Sequence, residues 1–113
     1  MARVEILESL KNEILSKFKK ESKIIFKLMY SLRDNPHKGK VLTSFSGIVI
    51  KELKYKSSRF YFITDGYKLK VLSKEELTDL LLKFVRMSDK KQQQKVIDEI
   101  RKVLLIIGPE GFE

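Results

Sequence analysis

Within GIVIKELKYKSSRFYFITDG, residues 47 to 66, the cations Lys51, Lys54, Lys56 and Arg59 punctuate two runs of β-branched and aromatic residues, and Lys68 follows just beyond. A strand turns successive side chains to opposite faces, so Lys54 and Lys56 fall together with Ile50 and Glu52, while Val49, Leu53 and Tyr55 take the other face. Neighbouring ammonium groups repel one another, which lowers their pKa and lets one of them accept a proton. Arg59 keeps its charge at any working pH and offers a flat fork of donors suited to phosphate. Lys51 falls on the opposite face by parity unless a bulge intervenes. Cations arranged in this way are equipped to grip a phosphodiester.

The rest of the composition points to the same class of partner. Twenty-four Lys and Arg against fifteen Asp and Glu give a formal charge of +9 and a pI near 9.7, which favours a polyanion. Between His37 and Lys70, eight cations (Lys38, Lys40, Lys51, Lys54, Lys56, Arg59, Lys68 and Lys70) face only Glu52 and Asp65, placing +6 of that charge in under a third of the chain. The chain has no cysteine, which excludes disulfides, thiolate nucleophiles and the common structural zinc sites. No Gly-rich phosphate loop, Ser-His-Asp set or metal-ligand cluster is visible, and Glu75-Glu76 and Asp98-Glu99 are adjacent pairs whose side chains diverge. No cofactor or metal is expected. No apolar run approaches the roughly 20 residues that span a bilayer, and MARVEILESLKNEI lacks the apolar core of a secretion signal. The expectation is a cytoplasmic protein with no membrane partner.

These side chains must be positioned by a small set of elements. ARVEIL reads equally as a short strand or as the lead into a helix. Leu7, Leu10, Ile14 and Phe18, then Ile25, Leu28, Met29 and Leu32, recur at helical spacing, and the polar KKES at 19 to 22 divides them into two antiparallel helices. RDNPHKGK ends the pair, and TSFSG reads as a loop. GIVIKELKYK and RFYFIT follow as strands, Asp65-Gly66 signals a hairpin into a strand YKLKVL, and SKEEL forms a turn or short helix. LLLKFVRM suits a central strand. Ser88 reads as the cap of a last helix whose stripe is Val96, Ile97, Ile100, Val103, Leu104 and Ile107, stopped by Gly108-Pro109. The predicted fold class is α+β: one domain over residues 1–113, with an N-terminal helical hairpin packed on a small twisted antiparallel sheet and a C-terminal helix.

In order and spacing, three segments make the chain resemble the RelE/ParE toxin superfamily. LRDNPHKGKVL is similar to that family's Asn-Pro, Gly, Leu connection. IKELKYKSSRFYFITDG is similar to its Glu-Leu-Arg strand followed by an Arg-led strand and turn, and KFVRMSDKKQQQKVIDEI to its closing aromatic strand, lysine pair and Glu-Ile helix. Lys54 stands where the family has arginine, which removes a two-pronged phosphate grip. YKLKVLSKEELTDLLL is longer than the family's usual link, implying an inserted hairpin or helical turn.

The resemblance implies a ribosome-associated endoribonuclease, an mRNA interferase that cuts without metal and is neutralised by an acidic or amphipathic antitoxin. In such a reaction the 2′-hydroxyl attacks the adjacent phosphorus, so a base, cations and a proton donor are needed. Lys54, Lys56, Arg59 and Arg86 are the candidate catalytic residues: a lysine base, an Arg59 clamp and Arg86 as second cation. Lys38, Lys40, Lys51, Lys68, Lys90 and Lys91 are candidate contacts to mRNA and rRNA, with Tyr61 a candidate base-stacking side chain. The proton donor is unassigned: LLIIGPEGFE contains no His or Tyr, which leaves His37 and Asp89. The alternative is a non-catalytic ParE-type or degenerate module that binds without cutting.

Overall fold

The apolar spacing of the N-terminal third does make helices. In the computed structural model, which describes residues 1–112, α1 runs Glu8–Phe18 and α2 runs Ser22–Tyr30, joined by a 3-10 turn over Lys19–Glu21. Lys19, at φ +53, ends α1. Ser22 donates from its hydroxyl to the Ile14 carbonyl at 3.1 Å and so ties the start of α2 to α1. Leu10, Ile14, Ile25, Met29 and Leu32 are buried, as their spacing requires.

These helices lie against a five-stranded sheet of order β1-β5-β4-β3-β2, comprising β1 Arg3–Ile6, β2 Lys40–Phe45, β3 Ile48–Tyr55, β4 Ser58–Asp65 and β5 Leu81–Asp89. The α+β class holds. The sheet is mixed rather than antiparallel throughout, because β1 pairs parallel to β5. ARVEIL is therefore a strand; a parallel partner needs a long crossover, and residues 7–80 supply it. LLLKFVRM is interior, flanked by β1 and β4.

Three local expectations are corrected. TSFSG is not a loop: Thr43–Phe45 belong to β2, and Ser46 and Gly47, at φ +51 and +82, form a two-residue turn into β3 with the positive-φ pair of a type I′ turn. YKLKVL is not a strand, because Asp65 caps a helix, accepting the Lys68 amide at 3.0 Å, and α3 runs Gly66–Val71. Asp serves helix caps as readily as turns, so Asp-Gly alone does not choose. Ser88 lies inside β5 and caps nothing; α4 starts at Gln93 and ends at Ile106. SKEEL does form a short 3-10 segment, with a capping box between Ser73 and Glu76.

The two faces of the sheet have different covers. Phe18 meets Tyr55 and Phe60 at ring-centroid distances of 6.3 and 6.1 Å, so the face carrying Phe60, Phe62 and Tyr55 lies under the helical pair. The opposite face carries Ile50, Glu52, Lys54, Arg59 and Tyr61 and is covered by α4 only in part. The first residue of α4, Gln93, reaches Glu52, leaving the Lys54 and Arg59 end open. No helix among the described residues is long and apolar enough to cross a membrane.

Gly39 closes the turn into β2 at φ +100, where a Cβ would stand 2.9 Å from Phe62 Cζ and 3.1 Å from the Glu52 carbonyl oxygen. Gly39→Ala is expected to lower stability by about 1 to 3 kcal/mol, read as a reduced urea midpoint at unchanged slope.

Candidate functional site

A two-residue turn, Lys56-Ser57, joins β3 to β4, with Lys56 at φ +54. That turn sets Tyr55 opposite Ser58 and Lys54 opposite Arg59. Lys54 and Arg59 then form the divide between two shallow clefts. One, of about 440 Å³, is lined on its far side by Lys56, Asp89, Lys90 and Lys91. The other, of about 520 Å³, is lined by Lys38, Lys40, Glu52, Leu28 and Leu53. A third concavity, with His37 and Lys74, adjoins the second at Lys38. Seven of the eleven candidates (Lys38, Lys40, Lys54, Lys56, Arg59, Lys90 and Lys91) thus line these two adjoining clefts, here taken together as the groove.

Behind the divide lies a chain of polar contacts. Gln93 donates to Glu52 Oε2 at 2.9 Å, and the same oxygen lies 3.4 Å from Arg59 Nε. Both side chains of that ion pair are largely buried, and the Arg59 Nε makes no hydrogen bond. The Glu52 carboxylate therefore holds the guanidinium by charge, while Arg59 lines both clefts. Sequence reasoning did not select Glu52 as functional. The signal was present in its parity with Lys54, which placed a carboxylate on the cationic face.

Four candidates sit elsewhere and Lys56 acts differently. Lys56 lies beyond the end of β3, in the turn, so it does not share a strand face with Lys54. Its ammonium donates to Glu21, which also accepts the Tyr55 hydroxyl at 2.9 Å. The Glu21 hydrogen bond and charge raise the Lys56 pKa, the reverse of what a base requires. Arg86 does not enter the groove: its Nε donates to Glu99 at 2.8 Å, its Nη1 to the Val85 carbonyl at 2.7 Å, and its guanidinium lies 5.3 Å from the Phe112 ring centre. Tyr61 is fully buried with its hydroxyl 2.7 Å from Ser88 Oγ, so it cannot stack on a base, and burial pushes its pKa up. Lys68 is on α3 beside a separate, largely apolar cleft of about 200 Å³ that includes Ile48 and Ile63.

Lys51 is the fourth displaced residue. It is 1% exposed, its ammonium donates to the His37 carbonyl at 3.0 Å and lies 5.7 Å from the Phe62 ring centre, and so it fastens the 34–39 loop rather than meeting RNA. His37 stays on the loop surface, and Asp89 accepts the Gln92 amide at 3.0 Å at the entry to α4. Among the described residues no group of three His, Cys, Asp or Glu is placed to hold a metal ion. No family model matches the chain, and no curated protein or solved structure matches it significantly.

Burial lowers the Lys51 pKa below the ordinary lysine value of 10.5. The unfolded chain then binds more protons than the folded one in the alkaline window below that value, so this residue's contribution to stability rises with pH there. Relative to Lys51→Met, the wild type is expected to gain stability from neutral to alkaline pH in parallel urea titrations. A difference that does not vary with pH would contradict a charged, desolvated ammonium.

Proposed function

We propose that this chain is a metal-independent, toxin-like endoribonuclease that cleaves message held on the ribosome. The observation that carries the reading is the Lys54–Arg59 pair, fixed opposite one another on adjacent strands and shared by both clefts, with a carboxylate held against the arginine. The resemblance of the sequence to RelE/ParE toxins supplies the ribosomal setting, the cytoplasmic location and a neutralising antitoxin. An acidic partner would compete with RNA phosphate for the same cations.

In this reading a phosphodiester lies on the divide. Arg59 binds its non-bridging oxygens through the guanidinium tip, and Lys54 adds a second positive charge as the phosphorane forms. Glu52 accepts the 2′-hydroxyl proton as O2′ bonds to phosphorus and the bond from phosphorus to O5′ breaks. The products are a 2′,3′-cyclic phosphate and a 5′-hydroxyl end. The leaving oxygen takes its proton from solvent, because neither a histidine nor a tyrosine lines the two clefts. Slow turnover follows. Lys38, Lys40, Lys90 and Lys91 hold the flanking strand or rRNA.

The engagement of Arg86 by Glu99 favours the second reading, a module that binds without cutting. Translation in a purified system, followed by primer extension, separates the two. The wild type should produce cuts within the ribosomal A site, and Arg59→Ala should reduce them by about 100- to 1000-fold. Glu52→Gln should also reduce cutting, and Lys56→Ala should leave it nearly unchanged. Intact message with RNA binding that still weakens steeply with salt, losing about 0.7 of log-log slope per removed cation, selects the non-catalytic module. Intact message with flat salt dependence overturns both.

A further inference from the structure

We propose that the cleft between Leu28 and the open edge of β3 is a site for one unpaired nucleobase, next to the phosphate on Lys54 and Arg59. This inference rests on the RNA reading above and adds the form of RNA that the groove takes. It starts from an unequal pair of strands. β3 continues to Tyr55, but its pairing with β2 begins only at Glu52, opposite Lys40. Before Lys40 the chain leaves the sheet, and the Lys38 amide donates to the Asn35 carbonyl at 3.0 Å. Leu53–Tyr55 therefore have a neighbouring strand on one side only.

The turn determines which backbone groups face that gap. In a two-residue hairpin the residues flanking the turn, here Tyr55 and Ser58, exchange both of their main-chain hydrogen bonds. Alternation then directs the N–H and C=O of Lys54 away from β4 and toward the open edge. Among the described residues no loop supplies a main-chain partner for either group. A donor and an acceptor side by side thus border the cleft of about 520 Å³, whose apolar lining is Leu28 and Leu53 and whose charged rim is Lys38 and Lys40.

Each of these features matches part of a nucleotide. A base offers a flat face to the two leucines, and all four bases carry a neighbouring donor and acceptor on an edge that a duplex would occupy. The phosphates on either side meet Lys54 and Arg59 at one end and Lys38 and Lys40 at the other. The ligand is accordingly single-stranded RNA with one base turned into the protein, and a continuous duplex is excluded. Because both backbone groups serve any base, the site fixes strand position more than sequence.

The test uses a short ribo-oligonucleotide, 2′-O-methylated to block cleavage, and a set of variants each lacking the base at one position, with affinity measured by calorimetry at low salt. One position alone should cost about tenfold in affinity when its base is removed. Leu28→Ala should weaken binding of the intact oligonucleotide and leave the variant abasic at that position unaffected, whereas Lys40→Ala should weaken both alike. Salt-dependent binding with no position singled out, or equal losses from Leu28→Ala on intact and abasic strands, would overturn the base site and leave the phosphate groove standing. Absence of salt-dependent binding to any of the strands would overturn both. The abasic series on the wild type decides the matter even where a Leu28 variant folds poorly.

Discussion

The two-residue turn at Lys56-Ser57 constrains everything placed on β3 and β4. Strand register has a period of two, so a slip of one residue would send Lys54 and Arg59 under the helices and bring Phe60 and Phe62 to the surface. The helical pair opposes such a slip through the packing of Phe18 on Tyr55 and Phe60. Lys56 accepts a positive φ to make the turn, and its ammonium then reaches Glu21 at the end of the 3-10 link between α1 and α2. Turn, register and helical cover therefore specify one another, and the cationic divide is a product of all three.

Three charged side chains of the sheet, Lys51, Glu52 and Arg59, are largely buried, and they are managed in two ways. Lys51 loses water and gains one carbonyl and the face of an aromatic ring. Glu52 and Arg59 face each other, with Gln93 satisfying part of the carboxylate. Removing one member of such a pair leaves an uncompensated charge, so the pair is costly to disrupt even where its net contribution to stability is small. The Arg59 Nε is buried without a hydrogen bond, 3.4 Å from the Glu52 carboxylate, so charge alone holds it there.

Much of this was legible in the residues themselves. The periodicity of Leu10, Ile14, Ile25 and Met29 identified both helices, and alternation across GIVIKELKYK placed Lys54 with Ile50 and Glu52, but only the turn at Lys56-Ser57 brings Arg59 to that face. What alternation does not encode is depth. It assigned Lys51 to the face opposite Lys54, and Tyr61 was expected to stack on a base, yet a loop seals the first and neighbouring side chains bury the second. Lys56 was misplaced because parity assumes that a strand continues, and it stops at Tyr55. Arg86 depended on Glu99, thirteen residues away and on another element, so only the docking of α4 could reveal that pair. β2 was hidden because its second half, Thr43–Phe45, lies in the Ser- and Thr-rich run TSFSG, and α3 by an Asp-Gly pair that serves two kinds of local structure.

The pairing of β1 with β5 has a bearing on biosynthesis. Residues 3–6 pair along residues 80–84, so the first strand waits without its neighbouring strand until that segment has emerged. Gln93 and the Lys90-Lys91 pair are made later still. A nascent chain leaving the exit tunnel therefore carries the β3–β4 hairpin before it has the residues that complete the groove, and the cationic surface assembles only once residues 90–93 have joined it.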